Sequence, residues 1–518
     1  MSKFWAGCTA LVVALPAAPP VHAEKPGPEV RATVERKRPS MRISLPELLQ
    51  VAIRQSPALT RAVIDIDVAQ ADALAASGLD DFTLTAAAAL TRARTWQTLG
   101  GIGLYGQTTA GVELGVSRGL STGATVRANV SGHRITETFE PDGMPAAKTF
   151  GGVVTNASAS LVQPILRGFG RAVARADVRR ASFARDVATL QQAAEALNLT
   201  RDVIVAYWQV AYAHQVVEIR AEALKLATAQ LRVTRTAVRT GSVSPTETLA
   251  AEQAIAVREQ AFLLAQVAVS ELSLELRRRT GLELGKNEID LSPTTPLQAQ
   301  TETFDVDVAI DHAIKDNPLL AMIEAKGKGS AVEVELTDDG TRPRLDFHAS
   351  VGATGRSNDA GEAFRQLGVA DTPSYSVGLV YEQQLGARAA RGAHDRAKAI
   401  RRRVRIDLEE ARREVIVSVA HAVDLLRVAQ KRIQVSDQAI SLARRNLEIG
   451  ETRFLNGKAT NFDVLLRQDE VQQASVSRAL AVTDALAAEA TVHALTGTLL
   501  ERHDIRIAPA GATLVPSR

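Results

Sequence analysis

At 518 residues the chain has the length of three or four compact domains. A mean hydropathy of −0.02, with 46% hydrophobic but only 4% aromatic residues, favours long Ala-rich helices over several aromatic-lined cores. A formal net charge of +3 is small for this length and gives no nucleic-acid footprint; Arg277–Arg279 and Arg401–Arg403 read as solvated helix faces. Beyond the N-terminus there is no run of 18 apolar residues, which excludes a transmembrane helix. Two routes to a bilayer remain, a lipid anchor or strands closed into a barrel.

Residues 1–23 read as a signal peptide: Lys3 supplies the positive start, Thr9–Pro16 the apolar run and Val21–Ala23 the small-residue cleavage site. The only cysteine, Cys8, lies inside it. Trp5–Cys8 makes a poor lipoprotein box, because the apolar run follows the cysteine instead of preceding it. A mature chain without cysteine suits an oxidising compartment. Residues 24–42, Pro-rich and charged, read as a flexible arm.

The first structural repeat is expected over 43–281. Ser44-Leu-Pro-Glu47 is a capping box that starts one helix, and a second runs from Pro57 to about Ser77. Alternating segments follow at Phe82–Ala86, Gly111–Val116, Ala124–Val130 and Asn156–Val162, within a strand region of about 82–163. Gly119–Gly123 is the expected turn of a hairpin, and 97–106 and 140–152 read as loops. Small apolar residues alternating with Thr, Ser, Asn and Arg suit a barrel wall, although a soluble sandwich has similar strands. A helical hairpin is then expected over 170–280. Its outgoing rod contains neither Pro nor Gly from Arg171 to Thr240, roughly 100 Å at 1.5 Å per residue. Leu224, Leu231 and Val238 recur every seven residues with small Ala227 and Thr234 between them, the pattern of a closely packed helical seam. The tip is set at 241–245, where Gly241 ends the rod and Ser244, Pro245 and Glu247 form a second expected capping box. The return helix is half as long, so half of the rod must pack elsewhere, most simply on the helix at 57–77.

A linker at 282–304 leads into a second repeat at 305–497. Ala313–Leu320 repeats Ala52–Leu59, strands are expected over about 344–384, and a helical hairpin over 388–496 carries its tip at 455–461. Gly457 lies 216 positions after Gly241 (457 − 241), and Ile440, Leu447 and Phe454 stand at the same offset from Leu224, Leu231 and Val238. Thr460 and Asp463 take the places of Ser244 and Glu247. The chain therefore reads as a tandem duplication, with one extra strand hairpin in its first copy. Residues 498–518 form a tail.

Three pieces carry a resemblance over about residues 43–505. They are the Ser56-Pro57 and Asn317-Pro318 elements, the strand-to-helix junction Leu161–Gly170, and the paired tips Gly241–Gln253 and Gly457–Gln468. In their order and duplication the chain resembles the TolC-type outer-membrane efflux proteins. The resemblance implies a mixed, mainly α fold: a long α-helical coiled-coil barrel joined to an outer-membrane β-barrel, both shared by a homotrimer. It implies an exit duct with its helices in the periplasm, working with a periplasmic adaptor (membrane fusion) protein and an inner-membrane pump of a tripartite efflux or type I secretion system. A secreted coiled-coil scaffold or adhesin is the alternative reading. No catalytic, cofactor-binding or metal-ligating constellation is found, and no enzyme activity or cofactor is expected. Asp463 reads as a helix cap. The resemblance adds a gate at Asp463, facing the axis of the periplasmic entrance, with Leu466 where a second Asp would be expected. It also makes Gly241, Ser242, Ser244, Gly457, Ala459 and Thr460 candidate adaptor-docking residues. Trp96, Tyr105, Tyr375 and Tyr381 are expected in an interfacial aromatic belt, and Tyr207 and Trp208 between helices.

Overall fold

The computed structural model describes residues 40–97, 103–141, 148–241, 243–282, 290–298, 302–370 and 372–506. The signal peptide, the arm up to residue 39, Ser242, much of the linker and the tail beyond residue 506 lie outside them. The chain opens with β1 (Ser40–Ile43), α1 (Leu45–Gln55) and α2 (Pro57–Ser77), then passes through a 3-10 turn into β2 (Phe82–Gln97), β3 (Gly103–Gly119), β4 (Thr125–Pro141) and β5 (Lys148–Pro164). Next come α3 (Arg171–Ala174), α4 (Ala176–Arg239), α5 (Thr246–Thr280) and β6 (Asp290–Pro293). The second half repeats the plan with α6 (Val306–Asp316), α7 (Pro318–Asp339), β7 (Arg344–Ser357), α8 (Ala360–Val369), β8 (Pro373–Glu382), α9 (Arg388–Leu455), α10 (Asn461–Leu495) and α11 (Leu499–Arg502). Local chemistry sets these starts. At α1 the Glu47 carboxylate accepts from the Ser44 amide at 2.9 Å and hydroxyl at 2.7 Å. At α7 the Asn317 side chain accepts from the Leu319 amide at 2.9 Å.

Six strands form one antiparallel sheet in the order β2-β3-β4-β5-β7-β8. They run well beyond the alternating segments, and the expected loops at 97–106 and 140–152 shrink accordingly. Glycines within these strands serve close approach in the sheet. A Cβ on Gly111 would fall 2.0 Å from the His133 ring, and one on Gly115 would fall 2.5 Å from Asn129 Oδ1. The segment between β7 and β8 also carries regular structure. It holds α8, capped by Asp359 on the Glu362 amide at 3.0 Å and packed on β5 and β7 through Thr155, whose hydroxyl donates to the Ala363 carbonyl at 2.8 Å.

Because side chains alternate, register alone divides the sheet into two faces. One carries Leu84, Ala86, Ala88 and Leu90 of β2, paired with Val116, Leu114, Val112 and Ala110 of β3. Across β4, β5, β7 and β8 the same face continues through Val126, Ala128 and Val130, then Ala157, Ala159 and Leu161, then Phe347 and Val351, and ends on Tyr375, Val377, Leu379 and Tyr381. Most of these large apolar side chains are exposed. The other face is polar or small, with Glu113, Asn129, Ser131, Ser158, Ser350 and Ser376 among its residues. Trp96, Tyr375 and Tyr381 stand on the apolar face. Tyr105, opposite Thr95, points to the polar one, so it does not join the expected belt.

The outgoing rod is interrupted once, at Arg175, whose guanidinium binds both Asp80 oxygens at 2.6 and 2.9 Å. From Ala176 it runs unbroken for 64 residues, about 96 Å. Its tip-side half packs between α5 and α10, and its sheet-side half between α2 and α7. Helices near the tips therefore follow the lateral order α5-α4-α10-α9, and nearer the sheet α2-α4-α7-α9. Ala227 and Thr234 are fully buried and Leu231 nearly so, whereas Leu224 and Val238 are half-buried. Midway, a core of Leu48, Leu49, Val203, Tyr207, Val210 and Leu276 joins α1, α4 and α5 beneath the parallel β1-β6 pair. Tyr207 meets Trp208 edge-on at 5.2 Å, and its hydroxyl donates to the Ile43 carbonyl at 3.3 Å.

Candidate functional site at the helical tips

Both rods end in a glycine with left-handed backbone, Gly241 at φ 72° and Gly457 at φ 66°. There the Gly241 amide donates to the Val238 carbonyl at 3.0 Å and the Gly457 amide to Phe454 at 2.9 Å, closing the last turns. The helix starts beyond them differ. Thr460 and Asp463 make the full capping box: the Asp463 carboxylate accepts from the Thr460 amide at 2.9 Å and hydroxyl at 2.8 Å. Those bonds, with Arg467 and Arg453 nearby, hold the Asp463 carboxyl below its ordinary range. At the first tip the expected box does not form. Helix α5 begins at Thr246, and Ser244 instead uses its carbonyl for the Glu247 amide at 3.1 Å and its hydroxyl for that of Thr246 at 2.8 Å.

Asp463 and Leu466 both reach the surface of α10, beside exposed Phe462 one turn from Leu466. Gly241, Ser244, Gly457 and Thr460 are exposed and Ala459 is half-buried. Between the tips runs a groove of about 450 Å³, walled by Val233, Ala237, Thr240 and Val243 on one side and Phe454 and Leu455 on the other.

Two buried polar groups, not singled out in the sequence, lock the hairpins together. Asn461, with 0% exposure, accepts from Gln230 Nε2 at 2.9 Å and the Thr234 hydroxyl at 3.0 Å. Arg258 extends from α5 beneath α10, donating to Gln468 Oε1 and Asp469 Oδ1, each at 2.8 Å, and to the Leu465 carbonyl at 3.2 Å. An arginine mid-helix carries no local signal of this role, since its partners lie some 210 residues away.

A third group lies in the middle of the molecule. Glu302, Glu489 and His493 bring ligand-type atoms within 4.8 Å of one another. Arg502 occupies this cluster, donating to Glu302 at 2.7 Å and Glu489 at 2.9 Å, so part of its negative charge is already compensated. Burial raises the Glu489 carboxyl and lowers the His493 imidazole.

An open sheet with one apolar and one polar face, set end to end with a four-helix layer about 100 Å long, defines a class by its fold, which is TolC-like. Residues 309–498 match the family model described as outer membrane efflux protein. No curated protein sequence matches it. Among solved structures, the outer-membrane channel OprN superposes with a TM-score of 0.66 at 14% identity, covering 88% of this chain and 90% of that one. The outer membrane protein VceC of Vibrio cholerae gives 0.62 at 16%, covering 88% and 96%. The CmeC outer membrane channel of Campylobacter jejuni gives 0.63 at 13%, covering 88% and 86%. These likenesses are of fold, and the fold is that of channels rather than enzymes.

Proposed function

We propose that this chain is one third of an exit duct that spans the outer membrane and extends through the periplasm, passively conducting substrates delivered by an inner-membrane pump and a periplasmic adaptor. The observation that carries this reading is that the protomer is unfinished on the same two sides at every height. Its sheet ends at β2 and β8, its sheet-side helices at α2 and α9, its tip-side helices at α5 and α9. An open strand edge in lipid leaves unpaired backbone groups at several kcal/mol each, so the sheet has to close on other copies. The free side of α9 carries Val428, Val435, Leu442 and Ile449, exposed and seven residues apart, the stripe a partner helix needs. Exposed Leu249, Leu263, Val267 and Leu274 on α5 supply apolar surface for it in the next copy. The six strands alternate in direction, so β8 of one copy meets β2 of the next antiparallel.

Within this reading the tips are the periplasmic mouth. Three copies of Asp463 around one axis form a negative ring that favours cations, and Leu466 forms an apolar constriction beside it. Gly241, Ser242, Ser244, Gly457, Ala459 and Thr460, with the groove between the tips, are the surface for an adaptor hairpin. The test is the detergent-extracted protein: a trimeric mass and ion conductance in a planar bilayer are expected. A water-soluble monomer without conductance refutes the duct. Asp463→Ala is expected to weaken cation preference; unchanged selectivity leaves Asp463 a helix cap only.

A further inference from the structure

We infer that the hairpin β3-β4 is membrane wall, so that the closed barrel has eighteen strands, six from each copy; this rests on the trimeric duct proposed above. Two places are open to this hairpin, within the wall or as an appendage. Three observations favour the wall. First, β3 and β4 lie in the interior of the sheet order. β3 pairs with β2 from Gly103↔Gln97 to Arg118↔Phe82, and β4 pairs with β5 from Thr125↔Val162 to Phe139↔Lys148. Removing them would leave β2 with no neighbour and β5 paired on one side only, with β7.

Second, the hairpin continues the apolar face in step with the strands on either side. Val112, Leu114 and Val116 of β3 and Val126 and Val130 of β4 are all exposed, at the level of Leu84 and Leu90 on β2 and Val351 on β7. A soluble appendage would set these side chains against water on one face with nothing to cover them. Third, the apolar stretch ends within one alternate position on β2 and β4, Arg134 standing level with Leu90 across Ala110. On the apolar face, Arg92 of β2 and Arg134 of β4 stand one alternate position beyond Leu90 and Gly132. On β2 the stretch from Phe82 to Leu90 is nine residues, about the length a tilted strand needs to cross the hydrocarbon. On the opposite face the hairpin presents Glu113, Asn129, Ser131 and His133, polar groups suited to a water-filled lumen. Because barrel diameter grows roughly linearly with strand number, eighteen strands make a pore about half as wide again as twelve would.

The experiment uses single cysteines in the full chain carrying Cys8→Ser. Leu114→Cys and Val130→Cys probe the apolar face of the hairpin, Ser131→Cys its polar face, and Val351→Cys and Val377→Cys the apolar face of β7 and β8. In outer-membrane vesicles a water-soluble maleimide is expected to label positions 114 and 130 about tenfold more slowly than 131, and a bimane at 114 or 130 should be quenched by brominated lipid. If 351 and 377 are protected and quenched while 114 and 130 are neither, the hairpin is an appendage and the duct stands. If all five positions label freely without lipid quenching, both readings fall.

Discussion

Arg258→Met isolates the polar lock between the two hairpins, because it keeps the buried stem and deletes the guanidinium. Its acceptors do not lose equally. The Leu465 and Ala223 carbonyls lie inside helices and keep their own amide donors. Asp469 is 61% exposed and returns to water, where such a pair contributes under about 1 kcal/mol. Gln468 is the group that suffers: it is 4% exposed, and its Oε1 is left facing a methionine. An unpaired buried acceptor costs about 1–3 kcal/mol, so the total comes to about 2–3 kcal/mol. If the tips open as a unit, that cost appears as amide exchange about 30- to 150-fold faster in α5 around 258 and α10 around 461–469. Hydrogen exchange read by mass spectrometry on the detergent-extracted protein measures it. Wild-type rates there, or an equal acceleration around Tyr207, would refute the lock.

Four further outcomes follow from the same geometry. Thr460→Ala should destabilise its tip by about 1 kcal/mol, whereas Ser244→Ala, which loses no capping box, should stay within about 0.5 kcal/mol; local exchange compares them. Asn461→Leu and Thr234→Val should show a coupling of about 0.5–3 kcal/mol in a double-mutant cycle, since each removes one end of the hydrogen bond between them. Gly281→Ala should be far more damaging than Gly241→Ala although both residues have positive φ. A Cβ at 281 would stand 2.4 Å from the Gln55 carbonyl oxygen, and one at 241 meets nothing within 4 Å. Burial, aided by Arg502, lowers the His493 imidazole, so the fold prefers the neutral ring. That contribution is complete at neutral pH and declines as pH falls below the ordinary imidazole value toward the lowered one. His493→Gln should flatten that part of the melting-temperature profile.

Much of the scaffold was legible because it is written locally. Seven-residue seams, proline at helix starts and glycine at helix ends all act over one or two turns. Strand lengths were not, since Gly103, Gly106, Gly151 and Gly152 look like loop residues until neighbouring strands supply the pairing that holds them extended. Helix α8 escaped for a related reason: its ten residues include two glycines, and its burial depends on Thr155 across the sheet. At the tips the turns were readable but the lock was not. Asn461 resembles an ordinary first-turn residue and Arg258 an ordinary surface arginine, until partners more than two hundred positions away bury them.

The repeated lateral order has a consequence for inheritance. A subunit whose two sides are different surfaces joins head to tail, so each place in the ring depends on both of its neighbours. A variant damaged only along β8 and α9 would still offer intact β2, α2 and α5, and could enter an assembly that it then prevents from closing. In the proposed trimer, with equal expression of variant and wild-type chains and random mixing, about one ring in eight would be wholly wild type. Such lesions would be dominant, whereas loss of the whole chain would be recessive.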